Sequence, residues 1–163
     1  MQIQQAIDKI KGDAIKSFEA AGGCGLVAFI SGTGRGIAMA PFDRAMHENR
    51  HVAMYNLGKA VASKSGEAFG EPLVCVTTSE AWVSIQTKED VEKNGYKQAS
   101  KDPKRKEVFF VAAMDKEGNS QIYIYDIIRK GKKVKLKESE VLKDAKTHQS
   151  TLLNEFWKGY MGI

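Results

Sequence analysis

The chain has 163 residues, of which 42% are hydrophobic and 28% charged, and a formal net charge of +5. That length supports one domain with a sizeable apolar core, and the composition excludes a disordered or collagen-like chain. Two cysteines are too few for a disulfide framework or a cysteine-built zinc site. No apolar run reaches membrane-spanning length, and the opening MQIQQAIDKI lacks the apolar block of a secretion signal. The expectation is a cytoplasmic protein with no membrane partner, in which Cys24 and Cys75 act as small buried side chains.

Ile3, Ile7, Ile10, Ala14, Phe18 and Ala21 recur at threes and fours, which predicts an amphipathic helix over residues 1–22 closed by Gly22-Gly23. Gly25 to Ser31 reads as a buried strand. The glycines at 32, 34 and 36 lead into another short apolar run rather than a helix, and no Gly-Lys-Ser/Thr string follows. A phosphate loop needs the helix, so a hairpin turn is the better account.

Residues 42–64 carry the longest helical period, with Phe42, Met46, Ala53, Leu57, Ala60 and Val61 predicted to face the core. Leu73 to Ile85 predicts one long strand or two abutting ones, broken by a bulge near Thr77 to Glu80, with Trp82 packed on a neighbouring layer. Thr87 to Lys106 has no sustained apolar period and reads as a long polar loop. Val108 to Met114 and Gln121 to Arg129 are strands joined by a hairpin, and Val134 to Lys137 is a short edge strand guarded by lysines. Residues 139–161 predict a C-terminal helix, with Ser150 as a possible internal cap. The fold expected is a single α+β domain. Its mostly antiparallel sheet of five to six strands (25–138) is packed by a central helix and by amphipathic helices at both ends.

Ser79-Glu80-Ala81-Trp82, then a polar loop, then Ser100-Lys101-Asp102-Pro103-Lys104-Arg105-Lys106-Glu107 opens an apolar strand. A short turn and a strand ending in Arg129 follow. The series resembles a family of uncharacterised bacterial and phage-borne proteins that carry SEAW and then PS-x-DP-x-R-x-E. The likeness spans Leu26 to Arg129 and departs from the pattern at Ala99, where the family often has proline. It implies a shared fold, and with no activity attached to the family it implies no function. Physically, Asp102-Pro103 with Arg105 and Glu107 reads as a turn braced by an ion pair. Glu80 and Trp82 would meet it across the sheet, forming a structural clasp.

His47-Glu48-Asn49-Arg50-His51 is the one catalytic string. Two imidazoles one helical turn apart can hold zinc while Glu48 activates a metal-bound water. A third ligand would have to come from Glu67, Glu71, Glu80 or His148. Against this, Arg50 puts a positive charge between the ligands, and both histidines lean away from the predicted apolar stripe. The sequence therefore favours a non-enzymatic binding or accessory module without a cofactor. A zinc-dependent hydrolase using His47, His51 and Glu71 is the alternative. Six of the nine residues from Arg129 to Lys137 are Lys or Arg. Together with Lys101, Lys104 and Arg105, residues Arg129, Lys130, Lys132 and Lys133 are the candidate contacts for a polyanion such as nucleic acid. Homo-oligomer formation through the terminal helices is the other partner reading.

Overall fold

The spacing of Ala6, Ile7, Ile10, Ala14 and Phe18 along α1 (Ile3–Ala21) puts all five on one stripe, and all five are buried. Gly22 ends the helix at φ 80°, its N–H donating to the Phe18 carbonyl at 2.7 Å. The computed structural model describes residues 3–34, 36–43, 49–64, 70–83, 88–95, 101, 103 and 105–163.

β1 (Val27–Gly32) and β2 (Ile37–Pro41) form the hairpin that the glycine run predicts, with Val27 opposite Pro41 and Ser31 opposite Ile37. The chain crosses through α2 (Arg50–Lys64) to β3 (Pro72–Val83), which pairs with the other side of β1. α3 (Lys88–Asn94) follows and buries none of its residues. β4 (Lys106–Asp115), β5 (Ser120–Lys130) and β6 (Lys133–Lys143) then run as a meander, and α4 (His148–Met161) closes the fold. The sheet has six strands in the order β2-β1-β3-β4-β5-β6, every neighbouring pair antiparallel.

Alternation along the central strands divides the core into two layers. Val74, Val76, Phe109, Val111, Ala113, Tyr123 and Tyr125 face α1. Cys75, Val108, Phe110, Ala112, Met114 and Ile122 face α2 and α4. Both faces of β3 and β4 are covered, so these strands read as near-continuous apolar runs. α4 is anchored at both ends. Thr147 and Ser150 form a reciprocal capping box, and Gly162 closes the C-terminus at φ 73°. In between, the Trp157 indole N–H donates to the Met114 carbonyl at 3.1 Å in a buried bond.

α2 and α4 cross at two glycines. A Cβ on Gly58 would stand 1.9 Å from the Phe156 carbonyl oxygen, and one on Gly159 would stand 2.0 Å from that of Tyr55. Only residues without a side chain let the two backbones approach so closely.

Several expectations need correction; α3 (Lys88–Asn94), for one, lies inside the stretch expected to be a polar loop. α2 starts at Arg50, and Phe42 lies outside it; Met46 lies outside the described residues. Its fully buried residues are Met54, Gly58 and Val61; Leu57 packs half-buried against the same core, whereas Ala53 is half-buried and Ala60 exposed, a setting fixed by the crossing with α4. β3 is continuous, with Thr77, Thr78 and Ser79 buried in a sheet paired on both sides. Its polar residues mark no bulge, and the irregularities fall at Ser31/Gly32 and Ile124/Tyr125. Trp82 is 48% exposed rather than packed in the core. Finally, Glu138 to Lys143 extend β6, and the last helix starts only at His148, with Thr147 rather than Ser150 as its N-cap.

Candidate functional site

Three groups of side chains carry the sequence-derived candidates. The first surrounds His51, the second residue of α2, which is exposed. Its ring meets that of His148 edge-to-face, with centroids 5.6 Å apart and planes at 82°. His148 opens α4, so the two helix starts converge here. Burial, then the neighbouring His51 and Arg50 charges, hold the His148 imidazole below its ordinary range. Glu71 is engaged with a different partner: it pairs with Lys116 at 2.8 Å, which holds its carboxyl low. His47, Glu48 and Glu67 lie outside the described residues. Among the described residues, no group of three or more His, Cys, Asp or Glu side chains is placed to hold a metal ion.

The second group is the clasp. Glu80, Trp82, Glu107 and Arg129 share the α1 face of the sheet, because Glu80 stands opposite Phe109 and Trp82 opposite Glu107. Glu107 is held by Arg129, with Nη2 to Oε1 at 2.9 Å and a longer Nε contact of 3.4 Å to Oε2. Arg129 also donates from Nη1 to the Gly22 carbonyl at 3.1 Å, tying β5 to the end of α1. Arg105 lies over the Trp82 ring, its guanidinium carbon 4.6 Å from the centroid. Asp102 lies outside the described residues.

Charge in the clasp is graded by environment. Burial and a hydrogen bond to Glu107 raise the Glu80 carboxyl, while Arg129 holds the Glu107 carboxyl low. Both effects favour the neutral form of Glu80 beside the ionised Glu107. The Cys24 backbone N–H also serves the Glu80 carboxylate. Burial, aided by the Glu80 charge, pushes the Cys24 thiol up to about 11, and burial likewise raises that of Cys75. Neither is poised as a thiolate nucleophile.

The third group is a lysine face. Along β5, Ile122, Ile124, Asp126, Ile128 and Lys130 share the side of the sheet that carries α2 and α4. Directly opposite on β6, Lys137 faces Asp126, Lys135 faces Ile128 and Lys133 faces Lys130. Lys130, Lys133, Lys135 and Lys137 therefore project from one face, spaced along each strand by about 6.6 Å. Lys132 adds a further charge at the turn, where Gly131 takes φ 61°. All five lysines are exposed.

α4 packs on β3 and β4, with α2 against α4, and both make at most marginal contact with β5 and β6. The helices thus leave this end of the sheet open, and Ile128 is 37% exposed among the lysines. Lys106 on β4 borders the patch with its Nζ 2.7 Å from Asp126 Oδ1, an ion pair by distance though off the axis of a hydrogen bond. Six lysines stand on this face against two carboxylates, Asp126 and Glu140, the latter opposite Ile124, a local charge of +4.

Of the residues predicted to meet a polyanion, Lys130, Lys132 and Lys133 belong to this face. Arg129 points to the other side of the sheet, into the clasp. Arg105 is stacked on Trp82, Lys101 is exposed elsewhere, and Lys104 lies outside the described residues. Lys135 and Lys137 complete the patch. Their period of two is the signal that places them with Lys133, once β6 is recognised as a full strand.

No described helix is long and apolar enough to cross a membrane. A family model described as Bacteriophage lambda protein ea47 matches residues 2–161. That match covers nearly the whole chain, beyond the Leu26 to Arg129 stretch of the resemblance. No curated protein and no solved structure matches.

Proposed function

This chain belongs to the bacteriophage lambda protein ea47 family, and on that premise we propose that it is a non-enzymatic phage accessory module that binds a polyanion through its lysine face. One observation carries the reading: Lys130, Lys133, Lys135 and Lys137 project together from an end of the sheet that α2 and α4 leave open. Like charges directly opposite each other, as Lys130 and Lys133 are, destabilise a sheet. An anion with several closely spaced charges relieves that repulsion and releases its own counterions. A phosphodiester backbone has this chemistry. No aromatic side chain projects between the lysines, so contact is with phosphates rather than with stacked bases.

Fluorescence anisotropy with a labelled single-stranded oligonucleotide tests the proposal. The triple variant Lys133→Ser, Lys135→Ser, Lys137→Ser removes three exposed charges without touching the core. Wild-type binding that is lost in this variant supports the lysine face. Equal binding by both proteins, or none by either, rejects it.

A zinc-dependent hydrolase is the second reading, favoured by the contact between His51 and His148. Near-stoichiometric zinc in purified untagged protein, lost in His51→Ala, would support it. Metal-free protein, with the variant folding normally, would count against it.

A further inference from the structure

The two edges of the sheet are built differently. The β6 edge alternates Lys133, Lys135 and Lys137 and ends in Glu138, Glu140 and Lys143, charges that discourage another strand from pairing. The β2 edge, Ile37-Ala38-Met39-Ala40-Pro41, carries no charge at all. Met39 on it is 64% exposed, beside a hollow of about 440 Å³ lined by Lys9, Ile10, Asp13, Phe29 and Ile37. Val52, on the neighbouring α2, is 57% exposed.

The hydrogen-bond phase of this edge says what fits it. Phe42 N–H donates to the Leu26 carbonyl, and the register from Val27–Pro41 to Ser31–Ile37 continues that pairing. Residues 38, 40 and 42 therefore turn their backbone groups toward β1, and Ile37, Met39 and Pro41 turn theirs outward. The outward donors of β2 are then the N–H groups of Ile37 and Met39, because Pro41 has none. A second copy of the strand, antiparallel and centred on Met39, satisfies both. Met39 exchanges two bonds with Met39 of the other copy, and each Ile37 N–H reaches the carbonyl of the opposing Pro41. The missing Pro41 N–H leaves no unmet donor in this register. The lack of charge is also what a two-fold axis requires, since any charged residue at the centre would face itself.

We propose that this protein forms a symmetric dimer by pairing β2 with β2 of a second copy, giving one continuous twelve-stranded sheet. The apolar stripes of α1 and α4 are buried against the chain's own sheet, which makes β2 the better contact than the terminal helices. The paired Met39 side chains lie together on the α1 side, covering the hollow beside Ile37. With β2 at the interface, the lysine face of each copy sits at the far edge of its own half of the sheet, free to bind.

The test is light-scattering mass measurement across a concentration series, with crosslinking beside it. Wild type is expected to shift from monomer toward dimer mass in the micromolar range. Met39→Lys is expected to stay monomeric with an unchanged melting temperature, because the side chain already lies in solvent. Met39→Cys, in a Cys24→Ser background, is expected to form a disulfide-linked dimer on mild oxidation, since a hydrogen-bonded pair places the two Cα atoms about 5.5 Å apart. A wild type that is monomeric throughout overturns the proposal. So does a Met39→Lys protein that still dimerises, or a Met39→Cys protein that does not crosslink.

Discussion

Replacing Gly58 with alanine is the sharpest test of how the α2–α4 layer is assembled. In an isolated helix the change would stabilise by about 1 kcal/mol, because glycine has more backbone freedom to lose. Here the added methyl would sit 1.9 Å from the Phe156 carbonyl oxygen and 2.7 Å from the Tyr160 nitrogen. An ordinary contact is about 3.5 Å, so the helices must part by roughly 1.5 Å. Both obstructing atoms are backbone, so no side-chain rotation relieves the clash. Separation would loosen Met54, Val61, Phe156 and Trp157 together, since all belong to one packed cluster. Overpacking of this kind costs about 3 kcal/mol, which leaves a net loss of about 2 kcal/mol. For a chain of this size that is a fall in melting temperature of roughly 4–8 °C. Gly12→Ala in α1 is the control, because a Cβ there meets nothing within 4 Å. It is expected to raise the melting temperature by roughly 2–4 °C. Thermal unfolding followed by circular dichroism measures both. A Gly58→Ala protein as stable as Gly12→Ala would refute the close crossing.

Further outcomes follow from the clasp and the histidines. A double-mutant cycle on Glu107 and Arg129 is expected to give a coupling of about 0.5–1 kcal/mol, modest because both side chains reach solvent, whereas Glu80 with Arg105 should give none. The Glu107 contribution, from a carboxyl held low, is present above the ordinary carboxylate range and is lost as pH falls through its folded value. Glu80 is held high, so its effect has the opposite sign, and stability declines as pH rises above 4.5 through its folded value. Glu80→Gln keeps a donor for Glu107, and urea titration at neutral pH should find it as stable as wild type or more so. His148 is held below 6.5, so the unfolded chain takes up the proton first, and stability falls as pH drops below 6.5. His148→Gln should flatten that part of the stability curve. An unchanged slope would show that another group is responsible.

Much of the fold could be read from periodicity. The stripe of α1, the glycine hairpin and the apolar runs of β3 and β4 all appear in the structure, because burial on one face or on two leaves distinct patterns. α2 was harder, because its alanines make its sides nearly equal and its orientation depends on Gly58 meeting Gly159. Glycine at a helix crossing carries no hydrophobic signal. The β6 extension was hidden because Glu138 to Lys143, exposed on an edge strand, resemble the start of a solvated helix. In the clasp, the motifs named Glu80, Trp82, Arg105 and Glu107 but not the pairing of Glu107 with Arg129. Register puts Glu107 opposite Trp82, and it is Arg129, two strands from β3, that reaches the carboxylate. The lysines between 129 and 137 were visible as composition. Their division between two faces was not, since that follows only once the strand pairing is known.

The most direct test of the lysine face is the salt dependence of oligonucleotide affinity, comparing wild type with the Lys133, Lys135 and Lys137 triple serine variant. Five lysines without an acidic partner on that face predict that log affinity falls with log salt at a slope of about −3.5 for a single strand, roughly a hundredfold between about 50 and 200 mM. The variant, with two such lysines left, should show a slope of about −1.4. A wild-type affinity that does not change with salt, or a variant with the wild-type slope, would contradict the account.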